Sequence, residues 1–265
     1  MNAVESKRIG ELLREWRGRR RLSQLDLALD AGISTKHLSF IETGRTRPSR
    51  DMVLHLAEQL AVPLRERNVL LTSAGFAAVF PEHSLNDEAL QAARQTIDLI
   101  LQGHEPNPSL VIDRHWNLIT ANRSVGLLLK NVDASLLQPP VNVLRLGLHP
   151  EGLAPQTINF AEWRAHLLER LRRQIEITAD AVLLELEREL KSFPTPKGSP
   201  YNGMVDASKI AIPFRLRVDD GELSFISTST IFGTPIDITL AELAIESFFP
   251  ANQATAQWLK QSAPQ

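Results

Sequence analysis

Through the first seventy or so residues, apolar positions recur at helical spacing. Ile9, Leu12, Leu13 and Trp16 share one face of the stretch from Ser6 to Arg20, and Arg14, Arg17, Arg19, Arg20 and Arg21 crowd its end. Ser23 is placed to cap a second helix in which Leu25, Leu27, Ala28 and Ala31 repeat with the same period. Gly32 stops that helix, because the chain there needs a residue free to take positive φ. Ile33 plugs the corner, Ser34 caps a third helix, and Leu38 and Ile41 give it an inward stripe. Small Ala28, four residues before Gly32, lets the two helices approach closely. Pro48 pushes its predecessor out of helical geometry and Ser49 caps a fourth helix, Arg50 to Leu60. Pro63 and Leu64 open a fifth that ends at Gly75.

A small residue, a glycine, an apolar plug and two inward apolar positions make the geometry of a helix-turn-helix. The stretch LSQLDLALDAGISTKHLSFIETGRTRPSR, Leu22 to Arg50, resembles the DNA-binding domain of phage repressors and of xenobiotic-response-element regulators. The resemblance implies that the third helix enters a major groove. It then offers Ser34, Thr35, Lys36, Ser39 and Phe40 outward, with His37 at the margin as a packing residue with a polar edge. Lys36 can donate to guanine O6 and N7, and Thr35 can donate or accept. Phe40 either meets a thymine methyl group or folds back against the fourth helix. Gln24, near the start of the second helix, is placed to hold a phosphate, and Arg45 and Arg47 follow the reading helix where backbone phosphates run. A head of this size makes few contacts, so specific binding calls for a homodimer on a palindromic operator of double-stranded DNA.

Beyond Gly75 the pattern changes. A connector leads to a helix from Asn86 to Gln102 with Leu90, Ala93, Ile97 and Leu101 in line, and Gly103 stands where a C-terminal cap glycine belongs. That helix either packs on a second domain or pairs with its own copy. Ser109–Asp113 and Trp116–Thr120 read as strands and Ala121–Lys130 as a short helix. Asn159-x-x-Glu162 resembles a capping box opening a helical region to Lys191, with a break near Thr178 to Asp180. Proline and glycine make Phe193–Gly203 a loop. Three strands follow, Lys209–Val218, Glu222–Ile231 and Leu240–Phe249, the first two joined by the turn signal Asp220-Gly221. The segment ITLAELAIESFF fits a helix on propensity and is read here as strand. Asn252 begins a final helix containing Trp258.

The expected architecture is multidomain, all-α followed by α+β. A five-helix domain spans residues 1–75, a connector and linker helix 76–104, and a five-stranded antiparallel sheet with helices 105–265. The second part resembles a PAS-like sensor. The motifs SLVIDRHWNLITANRS, NVLRLGLHPEGL and FGTPIDITLAELAIESFFPA sharpen this into a resemblance to the ligand-binding domain of MmyB-like transcriptional regulators. That resemblance implies a small-molecule effector and an apolar pocket, for which Leu110, Ile112, Leu118, Leu144, Leu146, Trp163, Phe214, Leu223 and Phe225 are candidates. Arg145 either anchors a ligand carboxylate, with Asn142 and His149 assisting, or pairs with Glu151 or another internal acid. A fatty acid or similar amphipathic molecule is the expected ligand, with no resident cofactor. The rival is a second domain with a solid core that binds protein.

Charge sharpens the division of labour. Residues 1–75 carry thirteen Lys/Arg against nine Asp/Glu, a balance of +4, while the remainder carries sixteen against twenty-two, so the overall −2 hides a basic head on an acidic body. The 265 residues contain no cysteine, which excludes disulfides, thiolate metal sites and a cysteine nucleophile. No apolar run reaches the roughly 18 residues that span a membrane, and MNAVESKRIGELL has no apolar signal core, so a cytoplasmic location without membrane attachment is expected. No phosphate-cradling glycine loop, G-x-S-x-G elbow or H-E-x-x-H pair is present, and the seven histidines are scattered. No catalytic or metal site is expected, and the chain is not read as an enzyme.

Overall fold

The structure, a computed structural model, describes residues 7–196, 211–219 and 221–262. The chain forms two compact units, the first holding the N-terminal part through His83 and the second most of the rest.

In the first unit, α1 (Ile9–Arg19), α2 (Gln24–Asp30), α3 (Thr35–Glu42), α4 (Arg50–Gln59) and α5 (Leu64–Ser73) follow the expected order. Ser23, Ser34 and Ser49 each accept a backbone N–H of the helix they precede, and Gly32 takes φ 61° between α2 and α3. Leu13, Leu27, Leu38, Ile41, Leu56 and Leu70 are fully buried in one core. At eight residues α3 is shorter than the roughly 12 residues an isolated helix needs, so packing holds it. Burying Leu38 and Ile41 supplies about 1.5–3 kcal/mol each. Leu25 departs from the expected stripe and is 56% exposed, because two residues along a helix turn it about 200° from Leu27.

Two contacts set the angle of α3. Gly10 of α1 lies against its last turn, where an added Cβ would stand 2.5 Å from the Ile41 carbonyl oxygen and 2.6 Å from that of Glu42. Glu42 itself is buried, 3% exposed, at the end of α3. Arg17 donates to it twice, Nε to Oε1 at 2.7 Å and Nη2 to Oε2 at 3.0 Å, and Gln24 Nε2 donates to Oε2 at 2.8 Å. Arg14 adds a charge 3.5 Å away. Burial alone would raise the Glu42 pKa, but the hydrogen bonds from Arg17 and Gln24 and the two arginine charges outweigh it and hold the carboxyl below its ordinary range.

The second unit holds a sheet of β1 (Ser109–Ile112), β2 (Leu118–Ala121), β3 (Phe214–Val218), β4 (Gly221–Thr230) and β5 (Ala244–Pro250). Their order is β2-β1-β5-β4-β3 with every pair antiparallel, the five-stranded arrangement expected. Helix α6 (Gln91–His104) lays Ile97 and Leu101 inward and contacts β1. Gly103 lies inside α6 and is not its cap; Pro106 ends the helix by holding Glu105 extended. The other face carries α7 (Arg123–Leu128), α8 (Val143–Leu148), α9 (Phe160–Thr178) and α10 (Ala181–Ser192), with α12 (Gln253–Ser262) over β4 and β5. The break between α9 and α10 falls where expected, with Ala179 at φ 52° and Asp180 capping α10.

Two further expectations need amending. The segment read as Leu240–Phe249 splits into a short helix, α11 (Ile238–Ala241), and β5, so both its helical propensity and its strand pattern are real but in succession. Asn159 does not cap α9: its amide donates to the Glu162 carboxylate and the Pro213 carbonyl, and its oxygen accepts from Arg215 N, tying α9 to β3. Asp220 of the expected hairpin turn, Ser6, residues 197–203 of the loop and Lys209 and Ile210 of the first late strand lie outside the described residues.

Gly10→Ala is expected to destabilise the first unit by about 3 kcal/mol, because backbone rather than a movable side chain meets the new methyl group; thermal unfolding checks this, and an unchanged melting temperature contradicts the close approach. A carboxyl held below its unfolded value of about 4.3 stabilises the fold above that pH and loses the contribution as pH falls through the folded value. Melts across the acid range should therefore show a loss of stability in the native chain that is smaller in Glu42→Gln.

Candidate functional site

Beyond the buried Leu38, Ile41 and Glu42, α3 keeps a face of two turns outward. Ser34 and Lys36 are exposed, and Thr35, His37, Ser39 and Phe40 are half-buried. The Ser34 hydroxyl accepts His37 N at 3.1 Å, so this serine is occupied as the cap. The Phe40 ring stands outside the packed core of the unit. Lys36 Nζ lies 5.7 Å from its centroid and the Arg45 guanidinium 5.6 Å, so the ring spaces two cations. Of the two alternatives for Phe40, the placement of its ring between Lys36 and Arg45 favours the exposed one. Among the described residues neither Lys36 nor Arg45 is paired with an acid. The main-chain N–H groups of Arg45 and Thr46 both donate to the Phe40 carbonyl, at 2.8 and 3.1 Å, which fixes where Arg45 leaves the helix.

Two residues assigned to phosphate contact are used internally. Arg47 donates Nε and Nη2 to the Ala74 carbonyl at 3.2 and 2.8 Å and lies over Phe76, closing the end of α5. Gln24 spends its amide on Glu42, and Asp26 accepts the Ser23 N–H at the start of α2. The sequence identified both polar groups but not the buried carboxylate or the carbonyl that claim them.

Between its sheet and helices the second unit forms a cavity of about 100 Å³ that is partly open to solvent. Leu110, Leu118, Leu144, Leu146, Trp163 and Phe214 line it as expected, while Ile112, Leu223 and Phe225 belong to the surrounding core. Trp163 and Phe214 stack with centroids 4.9 Å apart. Arg145, Asn142 and His149 are elsewhere. Arg145 grips Glu189 on α10 with two parallel hydrogen bonds of 2.7 Å, the internal acid of its second alternative. That hydrogen bonding, ahead of the opposing effect of burial, holds the Glu189 carboxyl below its ordinary range. Asn142 caps α8 by accepting Leu144 N and Arg145 N, and His149 accepts Glu151 N and meets the edge of Phe193.

The polar residues at the cavity are Arg170, Glu246 and Ser227, which sequence reasoning missed. Glu246 sits on β5 opposite Leu110 and Ser229 and is 4% exposed. Arg170 donates Nη2 to Glu246 Oε1 at 2.7 Å and Nη1 to Oε2 at 3.2 Å, and its guanidinium lies 4.9 Å from the Trp116 ring. Trp116 is held in the left-handed region, φ 67°, by the turn that Asp113 organises, and its Nε1 donates to Gln174 at 2.7 Å. A signal was legible: Trp163, Leu167, Arg170 and Gln174 follow one face of α9, and Glu246 shares its register with Ala244 and Phe248. A cation and an acid therefore occupy positions that the patterns reserve for apolar side chains. No described helix is long and apolar enough to cross a membrane.

Comparison with known families agrees with this division. Residues 8–70 match a helix-turn-helix domain, and residues 93–261 match the MmyB-like transcription regulator ligand binding domain. No curated protein matches the chain. With that domain covering most of its length behind a helix-turn-helix, the chain belongs to the MmyB-like transcription regulators, DNA-binding proteins that carry a ligand-binding domain.

Proposed function

We propose that the protein is a homodimeric regulator that reads a palindromic operator with α3 and responds to a small amphipathic ligand in the cavity of its second unit. The observation supporting the DNA half is the outward edge formed by Thr35, Lys36, Ser39 and Phe40. Among the described residues Lys36 and Arg45 are there without acidic partners, while the acid that ends α3 is buried and paired internally. Lys36 and Thr35 read bases, Phe40 offers an apolar edge to a thymine methyl group, and Arg45 holds phosphate. Ser34 and His37 frame the helix start, Gln24 acts through Glu42, and Arg47 supports the fold.

The ligand half rests on an apolar cavity with one polar pole. At about 100 Å³ and open on one side, it takes a compact apolar group inside while a longer chain continues through the open side. Among the described residues lining the cavity, the Arg170–Glu246 pair and Ser227 supply the polar chemistry that meets the ligand, and the cytoplasm supplies both ligand and operator. A ligand that favours one DNA-binding state by about 1–3 kcal/mol changes operator affinity about 5- to 150-fold.

Selection of bound duplexes from a random library, with and without a small-metabolite extract, tests both halves in the intact protein. A two-fold-symmetric preferred sequence whose recovery changes with extract is expected; no preference, or a preference that extract never alters, contradicts the reading. Thr35→Ala and Lys36→Ala should relax sequence preference by about 1–3 kcal/mol at single positions. Arg45→Ala should weaken all duplexes alike and reduce the salt slope by about one. Arg47→Ala should instead lower the melting temperature with the slope kept; equal effects of the two arginines on the slope would contradict this assignment. Sedimentation should give a dimer on the operator, and a monomer both free and bound rules the dimer out.

A further inference from the structure

The polar end of the cavity is an ion pair already closed on itself. Glu246 Oε1 accepts from Arg170 Nη2 at 2.7 Å and from the Ser229 hydroxyl at 2.6 Å, and Oε2 accepts from Arg170 Nη1 at 3.2 Å. Ser229 Oγ in turn accepts from Arg170 Nη2 at 2.8 Å. The charge of the guanidinium is thereby matched by a carboxylate that cannot retreat into water, since Glu246 is buried on a central strand. What stays unused is mixed in kind. Among the described residues, Arg170 keeps its Nε–H and one Nη1–H without a partner, Glu246 Oε2 accepts one hydrogen bond only, and the Ser227 hydroxyl makes none.

A ligand reaching this pole meets one spare acceptor and spare donors beside a matched charge. A carboxylate head offers acceptors alone and adds a second negative charge next to Glu246, which the single Arg170 guanidinium does not match. A hydroxyl or primary amide can accept from Arg170 and donate to Glu246 Oε2 in the same pose, with no net charge brought into an apolar cavity. We propose that the cavity selects amphipathic ligands with an uncharged donor-acceptor head, an alcohol or primary amide, and that Glu246 is the residue that turns carboxylates away. The proposal rests on the cavity being the ligand site.

Binding to the full-length protein at neutral pH, followed by calorimetry with three probes of one chain length, 1-octanol, octanamide and octanoate, tests it. The unaltered protein should bind octanol and octanamide at least tenfold more tightly than octanoate. Glu246→Gln leaves the Arg170 charge unmatched, so octanoate should gain at least tenfold and the preference close or invert. Octanoate bound by the unaltered protein as tightly as octanol overturns the proposal while leaving the cavity as the ligand site. If none of the three binds, the cavity reading and the proposal fall together. The comparison on the unaltered chain decides the matter without the variant, whose folding is checked by its melting temperature.

Discussion

A carboxylate buried at the end of the reading helix is the constraint on which the first unit depends. Glu42 ends α3, and α3 is too short to persist alone. With its oxygens held by Arg17 of α1 and Gln24 of α2, the pair of helices that must flank α3 is tied to its last residue. Gly10 removes the side chain that would keep α1 from the same point. Breaking such a buried pair by removing one partner typically costs about 3–5 kcal/mol, far more than a surface ion pair contributes. The outward face of α3 is therefore presented by interactions on its inward side.

This arrangement also separates cations by task. Arg17 and Arg47 are consumed by Glu42 and by the Ala74 carbonyl, whereas Lys36 and Arg45 flank the Phe40 ring and face outward. A count of basic residues treats all four alike. In the second unit the same economy of charge appears inside the fold, where Arg170 and Glu246 cancel at the edge of an apolar cavity. Trp116 covers the guanidinium, and Gln174 fixes the indole.

Much of this was legible in the sequence, for identifiable reasons. Short-range rules placed the caps Ser23, Ser34 and Ser49, the turn at Gly32 and the break before Asp180. The order of strands and helices led to the five-stranded antiparallel sheet, and Trp163 and Phe214 did reach the cavity wall. The failures were long-range. Arg145 stayed open between a ligand carboxylate and an internal acid, because the acid that claims it, Glu189, lies 44 residues away. Gln24 and Arg47 likewise bond groups 18 and 27 residues distant. Leu25 was misjudged for a local reason, since the period itself points it away from Leu27. Arg170 and Glu246 broke their apolar patterns and could have been found on that ground alone.

The most direct test of the central claim is carbon-13 titration of the Glu42 carboxyl in the intact protein, read together with the amide shifts of Thr35 to Phe40. The buried clamp predicts a Glu42 midpoint below the ordinary glutamate range and amide shifts along α3 that move with that same midpoint. A Glu42 carboxyl that titrates like a solvated one, with the α3 amides unmoved, would contradict it.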